Sequence, residues 1–160
     1  MSNEIRYICK FGHETGADLS EVASPVDYLV EICHGASARA GWWTVNGIDC
    51  ARLLRNADIP ASLEAHAKWM RGLIVSQKLC LAHSEISEAM EGDRKGLQDD
   101  KLPQYPMVGV EIADAIIRLA DLAGAMGLPL GEILAAKLAF NAQRPDHKKE
   151  AREAAGGKAY

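Results

Sequence analysis

Four carboxylates in this chain come in two pairs of equal spacing. In "HSEISEAMEGDRKG", His83 to Gly96, Glu85 and Glu88 stand three residues apart, and in "VEIADAIIRLADLAG" Glu111 and Asp114 repeat that interval. On a helix, positions i and i+3 share a face, so each pair offers its oxygens to one side. Two carboxylates about 6 Å apart repel by roughly 3 kcal/mol at an effective dielectric near 20. Four brought together therefore need cations or raised pKa values. An all-oxygen set with open positions suits Mg²⁺ or Mn²⁺ and not Zn²⁺. Two divalent ions would offset all four charges.

The second pair sits in an unusual setting. Advancing about 100° per residue, Glu111, Asp114, Arg118 and Asp121 fall in one narrow stripe, and nearly every other position from Val108 to Ala123 is apolar. A helix apolar almost all round is expected to be buried, which turns its polar stripe toward an interior cleft or groove. On the first helix, Leu79, Ala82, Ile86 and Met90 form the apolar side, Glu85 borders it near Lys78, and Glu88 lies further round. The plain alternative is that both pairs are solvated helix faces. It suits Glu85 and Glu88 taken alone, and it suits Glu111 and Asp114 less, because their helix has so little other polar surface.

A third group follows in "AAKLAFNAQRPDHK". Lys137, Asn141 and Arg144 are spaced i, i+4, i+7, a row fit for phosphate oxygens, with Arg taking two and Lys acting as a point charge. Cations near a helix C-terminus are also favoured by the helix dipole alone. Lys78 and the Arg94-Lys95 segment are the reserve candidates for gripping phosphate. Trp42 and Trp43 are adjacent; one is expected to anchor the core, and the other could stack on a nucleobase.

The elements that must position these residues are helices. Ser24-Pro25 reads as a helix start, and Gly41 as its stop. Asn46-Gly47 is a turn signal, and 49–60 holds at most a short helix ending before Pro60. Ser62 is the expected cap of a long helix to about Glu91, which Gly72 could kink. Residues 92–106 form a loop of a length often functional. The next helix spans Met107 to about Gly127, and Pro129 opens a last one that must stop before Pro145. Four principal helices result, roughly 25–40, 62–91, 107–126 and 130–143, and they predict an all-α four-helix bundle. Residues 1–23 read as an N-terminal arm, "IRYICKF" as a short strand or ordered arm and "GHETGADLSEVAS" as loop, with 24–160 as the catalytic domain. The tail beyond Pro145, with Lys148, Lys149, Lys158 and Gly156-Gly157, is expected to be mobile.

The chain has 160 residues, enough for one domain with its own core. Its 18 basic and 22 acidic residues give a net charge of −4, which argues against duplex nucleic acid as a main partner. Cys9, Cys33, Cys50 and Cys80 lack CxxC spacing and read as free thiols in a reducing compartment. With no signal-like segment and no apolar run of membrane length, the expectation is a cytoplasmic protein without a membrane partner.

At these motifs the sequence resembles a known family. "SEISEAME" followed by "VEIADAIIRLADLAGAMGL" looks like the ExxE…ExxD signature of the MazG-like nucleotide pyrophosphohydrolases, the all-alpha NTP pyrophosphatases. The ending "KLAFNAQRPDHK…GGKAY" is similar to that of small stand-alone and phage-type members. The resemblance covers roughly residues 25–160 and is strongest from Lys78 onward. It implies a four-helix bundle that forms a homodimer or homotetramer. It also implies Mg²⁺-dependent hydrolysis of a (deoxy)nucleoside triphosphate to the monophosphate and pyrophosphate, as in nucleotide-pool housekeeping. By motif match Glu85, Glu88, Glu111 and Asp114 take the metal-ligand roles, and Lys137, Asn141 and Arg144 face the phosphates. "CHGASARAGWW" resembles the first helix of related members and puts His34 and Trp42 or Trp43 near the substrate. Residues 46–77 look longer than in a minimal member, and residues 1–23 have no counterpart. The rival expectations are a phosphoribosyl-ATP or dUTP/dCTP-type pyrophosphatase on the same scaffold, and a non-catalytic nucleotide-binding helical oligomer.

Overall fold

A computed structural model describes residues 4–8, 10, 12–55, 62, 64–145 and 151. Among them the order is β1 (Glu4–Ile8), β2 (Glu14–Asp18), α1 (Ser20–Arg39), β3 (Thr44–Val45), β4 (Ile48–Asp49), α2 (Cys50–Leu54), α3 (Glu64–Lys95), α4 (Met107–Met126) and α5 (Leu130–Gln143). The described chain is thus mostly helical, as expected. Strand β1 falls in the stretch read as a short strand or ordered arm, while β2 and the antiparallel pair β3–β4 are additions. No single described helix is long and apolar enough to cross a membrane. Pro60 and the tail residues Lys148, Lys149, Lys158, Gly156 and Gly157 lie outside the described residues, as does Cys9.

Two compact units divide the chain: Met1–Tyr28 with Pro129–Tyr160, and Leu29–Leu128. In the first, β1 pairs with β2 from Glu4 opposite Asp18 to Ile8 opposite Glu14. Within the stretch read as loop, Glu14–Asp18 is a strand paired to the segment before it, and the residues from Ser20 belong to α1. Helix α1 starts four residues before the expected Ser24. The Asp18 carboxylate accepts from both the backbone N–H and the hydroxyl of Ser20 at 2.8 Å, so the cap is set by Asp18 and Pro25 is carried inside the helix. Helix α5 has the expected bounds. Its second amide, Gly131 N–H, donates to the Asp27 carboxylate at 2.8 Å. A Cβ on Gly131 would lie 2.2 Å from the Ala23 carbonyl oxygen, so only glycine permits this approach of α5 to the start of α1.

In the second unit the core is small. Trp43, Ala51, Leu54, Leu122 and Ala125 are buried together, with Cys50, Ile74, Val75 and Met126 against them. Asp49 caps α2 by accepting from Ala51 N–H at 2.9 Å. Helix α3 runs unbroken through Gly72 and continues to Lys95, so the glycine does not end it. Gly127, at φ 65°, closes α4 in the left-handed conformation, with Leu128 N–H bonded to the Ala123 carbonyl at 3.0 Å. The 96–106 connection is held by Asp99, which is buried and whose carboxylate accepts from the Lys101 and Leu102 amides at 3.0 and 2.6 Å.

Helices α3 and α4 pack antiparallel, and two expectations change there. The buried face of α3 is Ala82, Glu85, Ala89 and Gly92, not Leu79, Ala82, Ile86 and Met90. Leu79, Ile86 and Met90 are exposed. Small residues let α4 approach closely: a Cβ on Gly92 would lie 2.9 Å from Met107 Cγ. Helix α4 is not buried all round within one chain either, since Ile112, Ile116, Ile117 and Leu119 stay exposed. Of its polar stripe, read as facing an interior, Glu111 and Asp121 are buried, whereas Asp114 and Arg118 are exposed.

Candidate metal centre

The stripe on α4 meets α3 through polar contacts. Near its N-terminal end, oxygens of Glu85, Glu88 and Glu111 lie within 4.8 Å of one another. Glu85 and Glu111 are buried and Glu88 is exposed. Asp114, one turn beyond Glu111, is exposed and stands outside this trio, yet its charge still acts on Glu111. Burial is the main force raising the Glu111 carboxyl, from its ordinary 4.5 to about 7, with a hydrogen bond to Glu85 and the charges of Glu88, Glu85 and Asp114 adding to it. A hydrogen bond between two carboxyls needs a shared proton. A proton on Glu111 would relieve the repulsion at the place where a cation would serve.

One cation does reach this end. Arg118 Nε donates to Glu85 Oε1 at 2.5 Å, from a side chain that is 43% exposed. The other nearby basic groups of α3 are committed elsewhere. Arg94 binds Glu91 at 2.5 Å, Lys95 binds Glu91 too, and Lys78 is drawn to Asp121.

Asp121, at the far end of the stripe, is surrounded by donors. Its Oδ1 accepts from Trp43 Nε1 at 2.6 Å and lies 2.9 Å from His34 Nδ1, while Oδ2 accepts from Ser37 Oγ at 2.8 Å. Lys78 Nζ is 3.8 Å from Oδ2 and sits 4.1 Å from the Trp43 ring centroid. The His34 contact is a hydrogen bond in the tautomer that protonates Nδ1. His34 meets Trp43 edge-on at a centroid distance of 5.7 Å. A Cβ on Gly124 would come 2.5 Å from His34 Cβ, so glycine allows α1 this close to α4. Burial pushes the neighbouring Cys33 thiol up, and the Asp121 charge adds to it.

Compared with protein families, with curated proteins and with solved structures, the chain finds no match.

The residues singled out in the sequence thus fall into separate places. Glu85, Glu88 and Glu111 converge, with Asp114 at their edge. His34, Lys78 and Trp43 join Asp121 in a buried polar knot. Trp43 is 2% exposed, so it presents no open face for a base, while Trp42 is 73% exposed and does. Lys137, Asn141 and Arg144 belong to α5 and its end. Lys137 Nζ lies 4.9 Å from the Phe140 ring centroid, and Asn141 Oδ1 is buried without a hydrogen-bond partner among the described residues. Arg144 does not continue their helical row: it caps α5 at φ −69°, ψ 125°. A residue before proline is pushed out of the helical region, and Pro145 follows it. Asp121 and Arg118 were visible in the sequence as members of one stripe. The Asp121 partners Ser37 and Trp43 come from a different helix and a turn, which helical periodicity does not connect.

Proposed function

We propose that this chain is a MazG-like nucleoside triphosphate pyrophosphohydrolase, hydrolysing a (deoxy)nucleoside triphosphate to the monophosphate and pyrophosphate with Mg²⁺. The observation that carries the reading is the Glu85–Glu88–Glu111 cluster, with oxygens within 4.8 Å of one another and Glu111 raised to about 7. That donor set is all oxygen, partly buried and short of positive charge, which fits a hard divalent cation. Glu85, Glu88 and Glu111 would hold it, with Asp114 completing the set from one turn along α4. Mn²⁺ could replace Mg²⁺. A bound divalent ion supplies charge neutralisation for the phosphates and an activated water.

The chain's own residues supply the rest. The α3–α4 packing fixes Glu85 and Glu111 on facing helices, so each helix contributes half of one site. Trp42, exposed beside the buried Trp43, is the available ring for stacking on a base. Lys137, Asn141 and Arg144 are retained as phosphate-facing candidates on the sequence resemblance alone. The uncovered Leu79, Ile86 and Met90 on α3 and Ile112, Ile116 and Leu119 on α4 support a homodimer or homotetramer, in which these faces complete a bundle of the all-alpha NTP pyrophosphatase type.

The test is pyrophosphate release from a panel of (d)NTPs with Mg²⁺ and with chelator. The expected result is Mg²⁺-dependent release by the wild type, reduced on the order of a hundredfold in Glu111→Gln. Wild-type turnover in Glu111→Gln would remove the cluster from the reaction.

A further inference from the structure

We infer that Arg118 is a phosphate-binding residue of the carboxylate site, held in place by Glu85 and presenting its terminal nitrogens to a phosphoanion beside the metal-binding oxygens. The inference rests on the proposed function for the identity of the anion. Its structural grounds are separate. Arg118 Nε is fixed at 2.5 Å from Glu85 Oε1, which uses one donor of a planar five-donor group. The two terminal nitrogens have no partner among the described residues, and the side chain is open to solvent over nearly half its surface. A guanidinium added only to neutralise Glu85 would be expected to meet the carboxylate with two parallel bonds. This one makes a single bond through Nε and leaves its fork outward.

The charge balance points the same way. Among the described residues, one cation, Arg118, directly meets the group Glu85, Glu88, Glu111 and Asp114, through Glu85. Lys78, Arg94 and Lys95 are engaged by Asp121 and Glu91. Divalent ions held by the carboxylates would be largely compensated by them, so a polyphosphate needs positive charge from another source at the same place. Arg118 is four residues after Asp114 and seven after Glu111 on the same helical stripe, at the edge of the cluster. Its fork geometry matches two oxygens of one phosphate group.

Inorganic pyrophosphate, titrated calorimetrically with saturating Mg²⁺ into the wild type, Arg118→Lys, Arg118→Gln and Arg118→Ala, is the test. Mn²⁺ binding to each protein without pyrophosphate is measured alongside by electron paramagnetic resonance. Arg118→Ala and Arg118→Gln should bind pyrophosphate about tenfold more weakly or worse. Arg118→Lys should recover only part of that, since it keeps the charge and loses the fork. Mn²⁺ affinity should hold in Arg118→Lys and hold or tighten in Arg118→Gln and Arg118→Ala, where the cation competing for Glu85 is gone. Arg118→Gln provides the reading if the alanine variant does not fold. Unchanged pyrophosphate affinity in folded Arg118→Gln overturns the inference, as does a wild type that binds no pyrophosphate. The two readings fail separately: a wild type that binds pyrophosphate through Arg118 but hydrolyses no (d)NTP refutes the proposed activity and leaves this inference standing.

Discussion

Glu111 and Asp121 are both buried carboxylates of α4, on one stripe and ten residues apart, which is about 15 Å along a helix. Their surroundings are opposite. Asp121 receives Trp43, Ser37 and His34 and has Lys78 close by. Glu111 faces Glu85, Glu88 and Asp114, and its carboxyl is raised to about 7, chiefly by burial. A buried charge that is fully bonded does structural work, and one set among like charges costs stability unless something binds it. The same helix therefore carries a lock at one end and, in the function proposed above, a receptor for cations at the other.

Breaking the lock should give the largest loss of stability. Asp121→Ala strands the Trp43 indole N–H, the Ser37 hydroxyl and the Lys78 ammonium in a buried region. The expected cost is about 3–5 kcal/mol, measured by urea denaturation. A loss below about 1 kcal/mol would mean that the knot is not a structural lock.

Two glycines sharpen the contrast. Gly124→Ala drives a Cβ into His34 Cβ at 2.5 Å, against a side chain already held by Asp121, and should cost about 1–3 kcal/mol. Gly92→Ala meets the side chain of Met107 at 2.9 Å, and a flexible methionine can yield. It should cost less than Gly124→Ala. The two midpoints in one denaturant series decide the order, and the reverse ranking would contradict a tighter approach of α1 to α4 at Gly124 than of α4 to α3 at Gly92.

A further contrast is a pH dependence of the metal-free protein. Glu111 titrates near 7 when folded and near its ordinary 4.5 when unfolded. Between those values the folded state holds a proton that the unfolded state has released. Stability from this group therefore falls as pH rises through that window, by at most about 1.4 kcal/mol per pH unit. Comparing urea midpoints at pH 5.5 and 7.5 for wild type and Glu111→Gln isolates it. The wild type should lose more stability over this rise than the variant, and equal changes would show that Glu111 is not the group responsible.

Much of the arrangement was legible in the sequence. The acidic spacing placed Glu111 and Asp121 on one stripe, and Pro129, Pro145 and Gly127 marked the ends of α4 and α5. Local signals failed where a distant partner decides. Ser24-Pro25 is a good helix start, but Asp18 at the end of β2 supplies a cap earlier. Arg144 fits a helical row by count, yet Pro145 expels it from the helix. The apolar side read for α3 assumed that its large residues face the chain's own core, whereas Ala82, Ala89 and Gly92 allow the close α4 contact and Ile86 and Met90 face outward. Asp121 could be picked out by its position, but not its four partners, because they lie on α1, α3 and the Trp43 turn.

The central claim is that the Glu111 end of the stripe binds divalent cations and the Asp121 end does not. Mn²⁺ titration followed by electron paramagnetic resonance, on wild type, Glu111→Gln and a folded Asp121→Asn, tests it most directly. The account predicts binding by wild type and Asp121→Asn, and a loss of about tenfold or more in Glu111→Gln. A wild type that binds no Mn²⁺, or a Glu111→Gln protein that binds it as tightly as wild type, would contradict the account.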